Sequence, residues 1–187
     1  NKLLKNKIKK IKYNILIIGS SQGIGHDILN IFNENKNIKK FVTYNKNKIK
    51  INSNSIYPIQ FNVYNDLNKI DKILNKNTPI KIYYFASPKI YFDNKLPVSI
   101  RNIYKYIFLK FPILLLKRYK DKDISFFYPS TTNIFENKNS YYSKIKLNAE
   151  TKIKKICLKY QIPLQIIRFP AINSRQSVSL SNPNPKS

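Results

Sequence analysis

The amino-acid sequence predicts an α/β fold in which a doubly wound parallel sheet carries helices on both faces. Two observations support this fold class. Apolar, strand-like runs alternate along the chain with amphipathic helical segments, and strands joined by helices pair in parallel through right-handed crossovers. In addition, all three glycines lie in one short turn, 19–25, between the first apolar run and the first helical segment.

The first half of the chain contains four strand-like runs and two helical stripes. Residues 13–18 are nearly all apolar, which is typical of a strand buried on both faces of a parallel sheet. The other predicted strands of this half are 40–44, 56–63 and 80–86. Helical spacing after the glycines predicts a buried stripe of Ile24, Ile28, Ile31 and Phe32. A second helical stripe consists of Leu67, Ile70, Ile73 and Leu74.

The second half continues the alternation. A helix is predicted within 99–117, where Pro112 kinks or restarts it. A strand at 123–128 follows and ends at Pro129 and Ser130, and another strand is predicted at 163–169. Between them we expect a long helix over 140–160 with the apolar stripe Ile145, Ala149, Ile153, Ile156 and Tyr160. Ligands bind at the carboxyl ends of such strands, so the residues that follow them are candidates for function.

The glycine turn is the most informative stretch of the sequence. Only glycine adopts positive φ freely and leaves room for a phosphate to come close to the backbone. Strand, glycine turn and helix is also the arrangement in which a helix N-terminus receives a pyrophosphate. The spacing is G-x-x-x-G-x-G rather than G-x-G-x-x-G, and a tight turn without a ligand is the alternative interpretation.

Length and hydropathy indicate one soluble domain. A chain of 187 residues with 42% hydrophobic residues can bury a substantial core. We expect a basic lead at 1–10, one domain at 11–177 and a loose tail at 178–187. The chain lacks an apolar run of the ~18 residues that a membrane span needs, and its basic lead lacks the apolar part of a signal peptide. These features favour a cytoplasmic protein that does not bind membranes.

The formal net charge of +26 raises the question of a polyanionic partner. Of the 35 basic residues, 31 are lysine and four are arginine, the residue preferred for bidentate phosphate and base contacts. The lysines are spread along the chain among asparagines, which resembles a coding bias more than a patch. Nucleic acid is therefore not the favoured partner.

Several kinds of site are disfavoured by composition. Cys157 is the only cysteine and falls at helical spacing among apolar residues, which favours a core position over a nucleophile. His26 is the only histidine, so a histidine-based triad or metal site is not expected, and we predict that it lies on the helix surface. The nine carboxylates are scattered, and we predict no metal site.

Three residues form a candidate catalytic set. Tyr142 and Lys146 are four residues apart on the predicted long helix and so share one face, and Ser130 ends the preceding strand. A nearby ammonium lowers the pKa of a phenol and prepares it for proton transfer. Ser130, or alternatively Thr131, would polarise a substrate carbonyl, and Lys146 could also bind ribose hydroxyls. Because tyrosine and lysine are abundant, this spacing alone is also expected by chance.

With these motifs in register, the chain resembles the short-chain dehydrogenase/reductase family over residues 11–177. The resemblance rests on the glycine turn, 62–63, 85–88, 130–132 and 142–146. Residues 84–88, 142–150, 168–170 and 175–177 resemble polyketide-associated ketoreductases most. The resemblance implies a Rossmann-type fold, an NAD(P) cofactor and catalysis by Ser130, Tyr142 and Lys146. The implied cofactor-binding residues are Gly19, Ser20, Ser21, Gln22, Gly23, Ile24, Gly25, Asn45, Lys46, Asn62, Val63, Ala86, Ser87 and Lys146.

Three positions depart from the family pattern. Asn62 stands where an aspartate usually contacts adenine, Tyr106 is assigned to the position of a catalytic asparagine, and Ala171 replaces a glycine. The second strand ends in Tyr44 and Asn45 without a carboxylate, and Lys46 follows, so NADP(H) is favoured over NAD(H).

Three functions remain open from the sequence. The leading hypothesis is an NADP-dependent reduction of a ketone or ketoacyl-like carbonyl, on a small molecule or on an acyl carrier. The alternatives are a relative that binds NAD(P) without turnover and a polyanion-binding protein. The helix that carries Tyr142 is a common dimer face in the family, so a homo-oligomer is also expected.

Overall fold

The computed structural model describes residues 13–51, 53–74, 78–91 and 95–170. Six strands form one parallel sheet in the order β3-β2-β1-β4-β5-β6. They are β1 (Asn14–Ile18), β2 (Lys40–Tyr44), β3 (Ile56–Gln60), β4 (Ile80–Tyr84), β5 (Ile124–Thr131) and β6 (Leu164–Phe169). This Rossmann-like sheet confirms the predicted fold class. The expected lead and tail, 1–10 and 178–187, lie outside the described residues.

Helices cover both faces of the sheet. They are α1 (Ile24–Asn33), α2 (Leu67–Leu74), α3 (Val98–Tyr104), α4 (Phe111–Arg118), the short α5 (Asn133–Glu136) and α6 (Tyr141–Lys159). One core cluster joins the sheet to α2, α3, α4 and α6, and a second joins the sheet to α1. Within β1, Leu16 and Ile18 belong to the first cluster and Ile15 and Ile17 to the second. This division confirms a central strand buried on both faces.

The buried stripe of α1 differs from the predicted one. Ile31 is 61% exposed, whereas Leu29 is fully buried. Gly25, one turn before Leu29, is packed against the backbone of Gly19, which turns the Gly25 side of the helix towards the sheet. The prediction for Ile31 was therefore wrong, because the close approach at Gly25 sets the rotation of the helix.

A π-helical segment, Lys105–Lys110, joins α3 to α4 and produces one continuous helical stretch. Pro112, near the start of α4, has no N–H to donate to the carbonyl of Phe108. The hydroxyl of Tyr128 donates to that carbonyl instead, at 2.9 Å, and the hydroxyl of Tyr84 donates to the carbonyl of Ile107 at 2.6 Å. Two tyrosines of the sheet thus fix the segment, and the helix continues through the proline.

The long helix α6 matches its prediction closely. Ser140 caps it, and its side-chain oxygen accepts from the backbone N–H of Ser143 at 3.1 Å. Ile145, Ala149 and Ile153 are buried, as expected, while Ile156 and Tyr160 are partly buried. Within the described residues, no helix is long and apolar enough to cross a membrane.

Candidate functional site

The turn at 19–25 is held together by close backbone contacts. Gly19 has φ +87°, and a Cβ built on it would lie 2.5 Å from the backbone nitrogen of Ala86. A Cβ on Gly25 would lie 2.2 Å from the carbonyl oxygen of Gly19. Gly23 has φ 60° and is the N-cap of α1. Each glycine is thus required by either its conformation or its neighbours.

The end of β2 anchors the turn through Thr43. The backbone N–H of Gly19 donates to the Thr43 hydroxyl at 3.0 Å. Ser20 is fully buried, and both its N–H and its hydroxyl donate to the Thr43 carbonyl, at 3.1 and 3.0 Å. Ser20 was predicted to bind cofactor. Its side chain instead hydrogen-bonds to β2 and holds the turn to the sheet.

A cleft of about 270 Å³ opens beside the turn at the carboxyl ends of β1, β2 and β4. Of the residues predicted to bind cofactor, eight line this cleft: Gly19, Ser21, Gln22, Asn45, Lys46, Val63, Ala86 and Ser87. The other six do not line it: Ser20, Gly23, Ile24, Gly25, Asn62 and Lys146. Gly23 and Gly25 instead determine the conformation and close packing of the turn itself.

Seven lining residues were missed from the sequence: Ile18, Thr43, Tyr44, Asn47, Phe61, Phe85 and Ile107. Most of them directly flank a residue that was predicted. The strand ends were recognised from the sequence. Adding the residue next to each predicted cofactor-binding residue would therefore have included most of the missed lining residues. Ile107 lies on the π-helical segment, and no local pattern in the sequence marks it.

Asn62 is used in a local turn rather than in the cleft. Its side-chain oxygen accepts from the N–H of Tyr64 at 3.0 Å, and its own N–H donates to the Asp66 carboxylate at 2.8 Å. These bonds shape the loop that presents Val63 to the cleft. Because these bonds hold the Asn62 side chain within the loop before α2, Asn62 does not form part of the cleft wall.

Tyr106 packs against the loop before α2 and does not line the cleft. Its hydroxyl donates to the carbonyl of Val63 at 3.2 Å, and its ring stacks on Tyr64 with centroids 4.5 Å apart. The next residue, Ile107, lines the cleft instead. The assignment of Tyr106 to the position of a catalytic asparagine stays a prediction.

Tyr142 lies in a buried position near the end of β5. It is 7% exposed, and its side chain hydrogen-bonds to that of Thr131. Ser130 is also buried, but its hydroxyl lies beside the carboxylate of Glu150 and makes no hydrogen bond of good geometry within the described residues. Of the two adjacent hydroxyls, that of Thr131 interacts with Tyr142 and that of Ser130 lies beside Glu150. The strand also ends at Thr131, one residue later than predicted.

Lys146 is buried, with an exposed fraction of 4%. Its ammonium donates to the carbonyl of Pro129 and lies over the rings of Tyr128 and Phe108, at 4.2 and 5.0 Å from their centroids. Burial lowers the pKa of Lys146 to about 7. Burial also raises the pKa of Tyr142, and the bond from Thr131 only partly offsets this increase. The expected lowering of the Tyr142 pKa by Lys146 is therefore absent from this arrangement.

The π-helical segment connects the cleft to the Tyr142 region. Ile107 lines the cleft, while the ring of the following residue, Phe108, packs edge-on against Tyr142 with centroids 5.5 Å apart. The same Phe108 ring lies beneath the Lys146 ammonium. One pair of adjacent residues therefore borders both regions, although Tyr142 and Lys146 themselves do not line the cleft.

The remaining candidates have structural roles. Cys157 is 2% exposed, and burial raises the pKa of its thiol to about 11, which fits the predicted core position. His26 lies in the first turn of α1 and is partly buried rather than on the surface. No group of three or more potential metal ligands occurs in the described part of the chain.

Comparison with known proteins places the fold. No protein-family model matches the chain, and no curated protein matches it either. Among solved structures, a short chain dehydrogenase family protein from Francisella tularensis matches with a TM-score of 0.74 at 16% identity, over 88% of this chain and 72% of that one. The chain has the fold of the short-chain dehydrogenases.

Two further structures share this short-chain dehydrogenase fold. A short chain dehydrogenase/reductase from Saccharomyces cerevisiae matches with a TM-score of 0.71 at 12% identity, over 88% of this chain and 72% of that one. A UDP-glucuronic acid 4-epimerase from Bacillus cereus, solved in complex with NAD, matches with a TM-score of 0.69 at 16% identity. That alignment covers 83% of this chain, which spans 55% of the epimerase.

Proposed function

We propose that the chain binds a nicotinamide dinucleotide at the 19–25 turn and the adjoining cleft, and that it interconverts an alcohol and a carbonyl. The observation that carries this proposal is the glycine cradle. Gly19 and Gly25 have no room for a Cβ, and the turn leads directly into the N-terminus of a ten-residue helix. The free N–H groups at such an N-terminus favour a diphosphate, so the residues present fit this cofactor.

The centre around Tyr142 would provide the proton chemistry. A bound nicotinamide would donate or accept hydride. Tyr142 would give the proton to the reduced oxygen or take it from the alcohol. Thr131, which hydrogen-bonds to Tyr142, would orient the substrate oxygen, a role we first assigned to Ser130. Lys146 does not line the cleft, so its proposed role is to supply a positive charge near Tyr142 rather than to hold the ribose.

We further propose that NADP(H) is preferred over NAD(H). The cleft wall beyond β2 consists of Tyr44, Asn45, Lys46 and Asn47 and contains no carboxylate to accept from a ribose 2′-hydroxyl. Lys46 is exposed there and could pair with a 2′-phosphate.

The leading reaction is reduction of a ketone or ketoacyl-like carbonyl, carried by a small molecule or by an acyl carrier. A second candidate is epimerisation, in which hydride leaves and returns to the same substrate. It is favoured by the similarity of the fold to the Bacillus cereus epimerase. Reduction consumes the cofactor, whereas epimerisation regenerates it, so cofactor absorbance during turnover separates the two.

The test combines cofactor binding with turnover. NADPH and NADH would each be titrated into the protein in a calorimeter. NADPH oxidation with a panel of ketones would then be followed by the loss of the reduced nicotinamide absorbance at ~340 nm. Binding with oxidation supports the reductase. Binding without oxidation or epimerisation would leave a cofactor-binding protein without turnover, and no binding of either cofactor would reject the proposal.

A further inference from the structure

Lys146 is a cation in surroundings that oppose its charge. Its neighbours on β5 and on the π-helical segment are the aromatic rings of Tyr128 and Phe108, and its ammonium has the Pro129 carbonyl as a hydrogen-bond acceptor. Burial favours the neutral amine and brings the pKa to about 7. Lys146 therefore loses its charge at a much lower pH than an exposed lysine does. Any role that requires a charged Lys146 therefore depends on an interaction that offsets the cost of burying the charge.

Glu150 lies one helical turn after Lys146 on α6 and is 2% exposed. Arg168 on β6 donates to both of its oxygens, from Nε to Oε1 at 3.0 Å and from Nη2 to Oε2 at 2.7 Å. Burial raises the pKa of Glu150, but the bonds from Arg168, together with the nearby Ser130 hydroxyl, outweigh it and leave the pKa below its ordinary value. Glu150 is therefore a fixed, ionised carboxylate in the interior.

We propose that Glu150, held in place by Arg168, is a positioning residue that keeps Lys146 protonated. Residues four apart on a helix are neighbours, so the carboxylate faces the same side as the ammonium. The attraction of Glu150 raises the pKa of Lys146 against the larger effect of burial. Only the value of this charge for catalysis rests on the proposed function; the electrostatic coupling does not.

Other titratable groups do not replace Glu150. Tyr128 on β5 and Tyr142 on α6 face Lys146, and burial raises the pKa of both, so they are neutral at pH 7. Lys154 acts on Glu150 and adds to its ionisation. In the described part of the chain, Glu150 is the one charged group that acts on Lys146. Its removal would therefore shift Lys146 towards the neutral amine.

The direct test is the titration of Lys146 by NMR in protein labelled with carbon-13 and nitrogen-15 at lysine. Lys146→Met identifies the resonance by its loss. In Glu150→Gln we expect the Lys146 titration to move down by about one pH unit, because an opposite charge at this spacing contributes about that much. Glu150→Asp keeps the charge and should retain most of the wild-type value. An unchanged titration in folded Glu150→Gln would overturn the proposal.

A matched control separates electrostatics from lost packing. Asp71 accepts two bonds from Arg118, at 2.9 and 2.6 Å, in the same bidentate geometry as the pair of Glu150 and Arg168, but it lies on α2. Asp71→Asn should leave the Lys146 titration unchanged, and an equal shift there would overturn the proposal. If Glu150→Gln does not fold, the double variant Glu150→Gln/Arg168→Gln is titrated instead. Because it also removes the positive charge of Arg168, a smaller downward movement of the Lys146 titration is expected, and an unchanged or raised titration would overturn the proposal.

Turnover provides a second readout that distinguishes this inference from the proposed function. If the protein reduces ketones, the alkaline limit of its activity should move down by the same interval in Glu150→Gln as the NMR titration does. If the NMR shift occurs in a protein that neither binds nor turns over NAD(P)H, the coupling stands and the proposed function fails. If turnover occurs but the titration does not move, Glu150 has a structural role only.

Discussion

The turn at 19–25 and the centre around Tyr142 are built from different parts of the polypeptide. The turn is made of backbone: glycines in close contact, with Thr43 as the anchor. The Tyr142 centre is made of side chains that converge from β5, α6 and the π-helical segment. A turn built this way tolerates few substitutions but needs little from the rest of the fold. The centre depends on how three distant elements pack.

Burial also separates the two regions. The cleft beside the turn is open to solvent and has the exposed residues Asn45, Lys46 and Asn47 on its wall. Tyr142 and Lys146 are almost fully buried, and the pKa of each is displaced towards the neutral form. The comparison predicts that changes in the turn affect binding and folding, whereas changes in the centre affect proton chemistry.

The largest effect is expected for Tyr142→Phe, which removes the phenol and keeps the ring. The rate of ketone reduction should fall by about 10³-fold, because a general acid contributes 10²–10⁴-fold, and NADPH affinity should change little. Stopped-flow oxidation and calorimetry measure the two quantities. Tyr141→Phe is the control, since Tyr141 contacts the Arg101 carbonyl at 3.4 Å on the surface. Equal rates for wild type and Tyr142→Phe would assign the proton transfer elsewhere.

The second largest effect is expected for Gly25→Ala. The new Cβ would lie 2.2 Å from the carbonyl oxygen of Gly19, so the start of α1 and the backbone at Gly19 must move apart. We expect a loss of about 3 kcal/mol in the free energy of unfolding, together with weaker cofactor binding. Urea unfolding measures the first quantity. Asp27→Ala, on the exposed side of the same helix, should behave like wild type; a Gly25→Ala variant as stable as this control would contradict the packing described here.

A pH effect of intermediate size belongs to the centre. The pKa of Lys146 is about 7 in the folded protein and near ~10.4 when unfolded, so the unfolded chain binds more protons between these values. Stability from this group therefore rises with pH, by about 2 kcal/mol from pH 7 to 9. In Lys146→Met this contribution to the increase in the free energy of unfolding should disappear, as measured by urea unfolding at pH 7 and pH 9. The exposed Lys144→Met should retain it, and the same slope in all three proteins would show that Lys146 is charged when folded.

The smallest effect is expected for Lys46→Gln at the cleft wall. Loss of a charge-assisted contact to the 2′-phosphate should weaken NADPH binding by about tenfold and leave NADH binding unchanged. Calorimetry with both cofactors measures the ratio of affinities. Lys48→Gln controls for general charge, because Lys48 is exposed and does not line the cleft. Equal losses for NADPH and NADH would indicate a site without 2′-phosphate selectivity.

The same contrast explains what could be predicted from the sequence. The turn was identified directly, because glycine content, strand and helix are all local features. The strand at 40–44 also matches residue for residue. Ser130 and Thr131 could not be ranked, because they are adjacent hydroxyls at a strand end, and their different partners, Glu150 and Tyr142, lie on a helix distant in sequence.

Other features of the centre depend on distant contacts. Two carbonyls of the π-helical segment accept hydrogen bonds from Tyr84 and Tyr128, which are far from the segment in sequence. The lowered pKa of Lys146 follows from burial against Phe108 and Tyr128, which the i, i+4 spacing does not convey. The i, i+4 spacing therefore predicted that Tyr142 and Lys146 share one face of α6, where both are buried, while their individual partners depend on contacts distant in sequence.

Cofactor binding tests the central claim most directly. NADPH titrated into the wild-type protein in a calorimeter should give a saturable, one-site isotherm, and Gly25→Ala should abolish or greatly weaken it while Tyr142→Phe keeps it. If neither NADPH nor NADH binds to the folded wild-type protein at millimolar concentration, the turn at 19–25 is a structural feature alone, and the proposed oxidoreductase function is wrong.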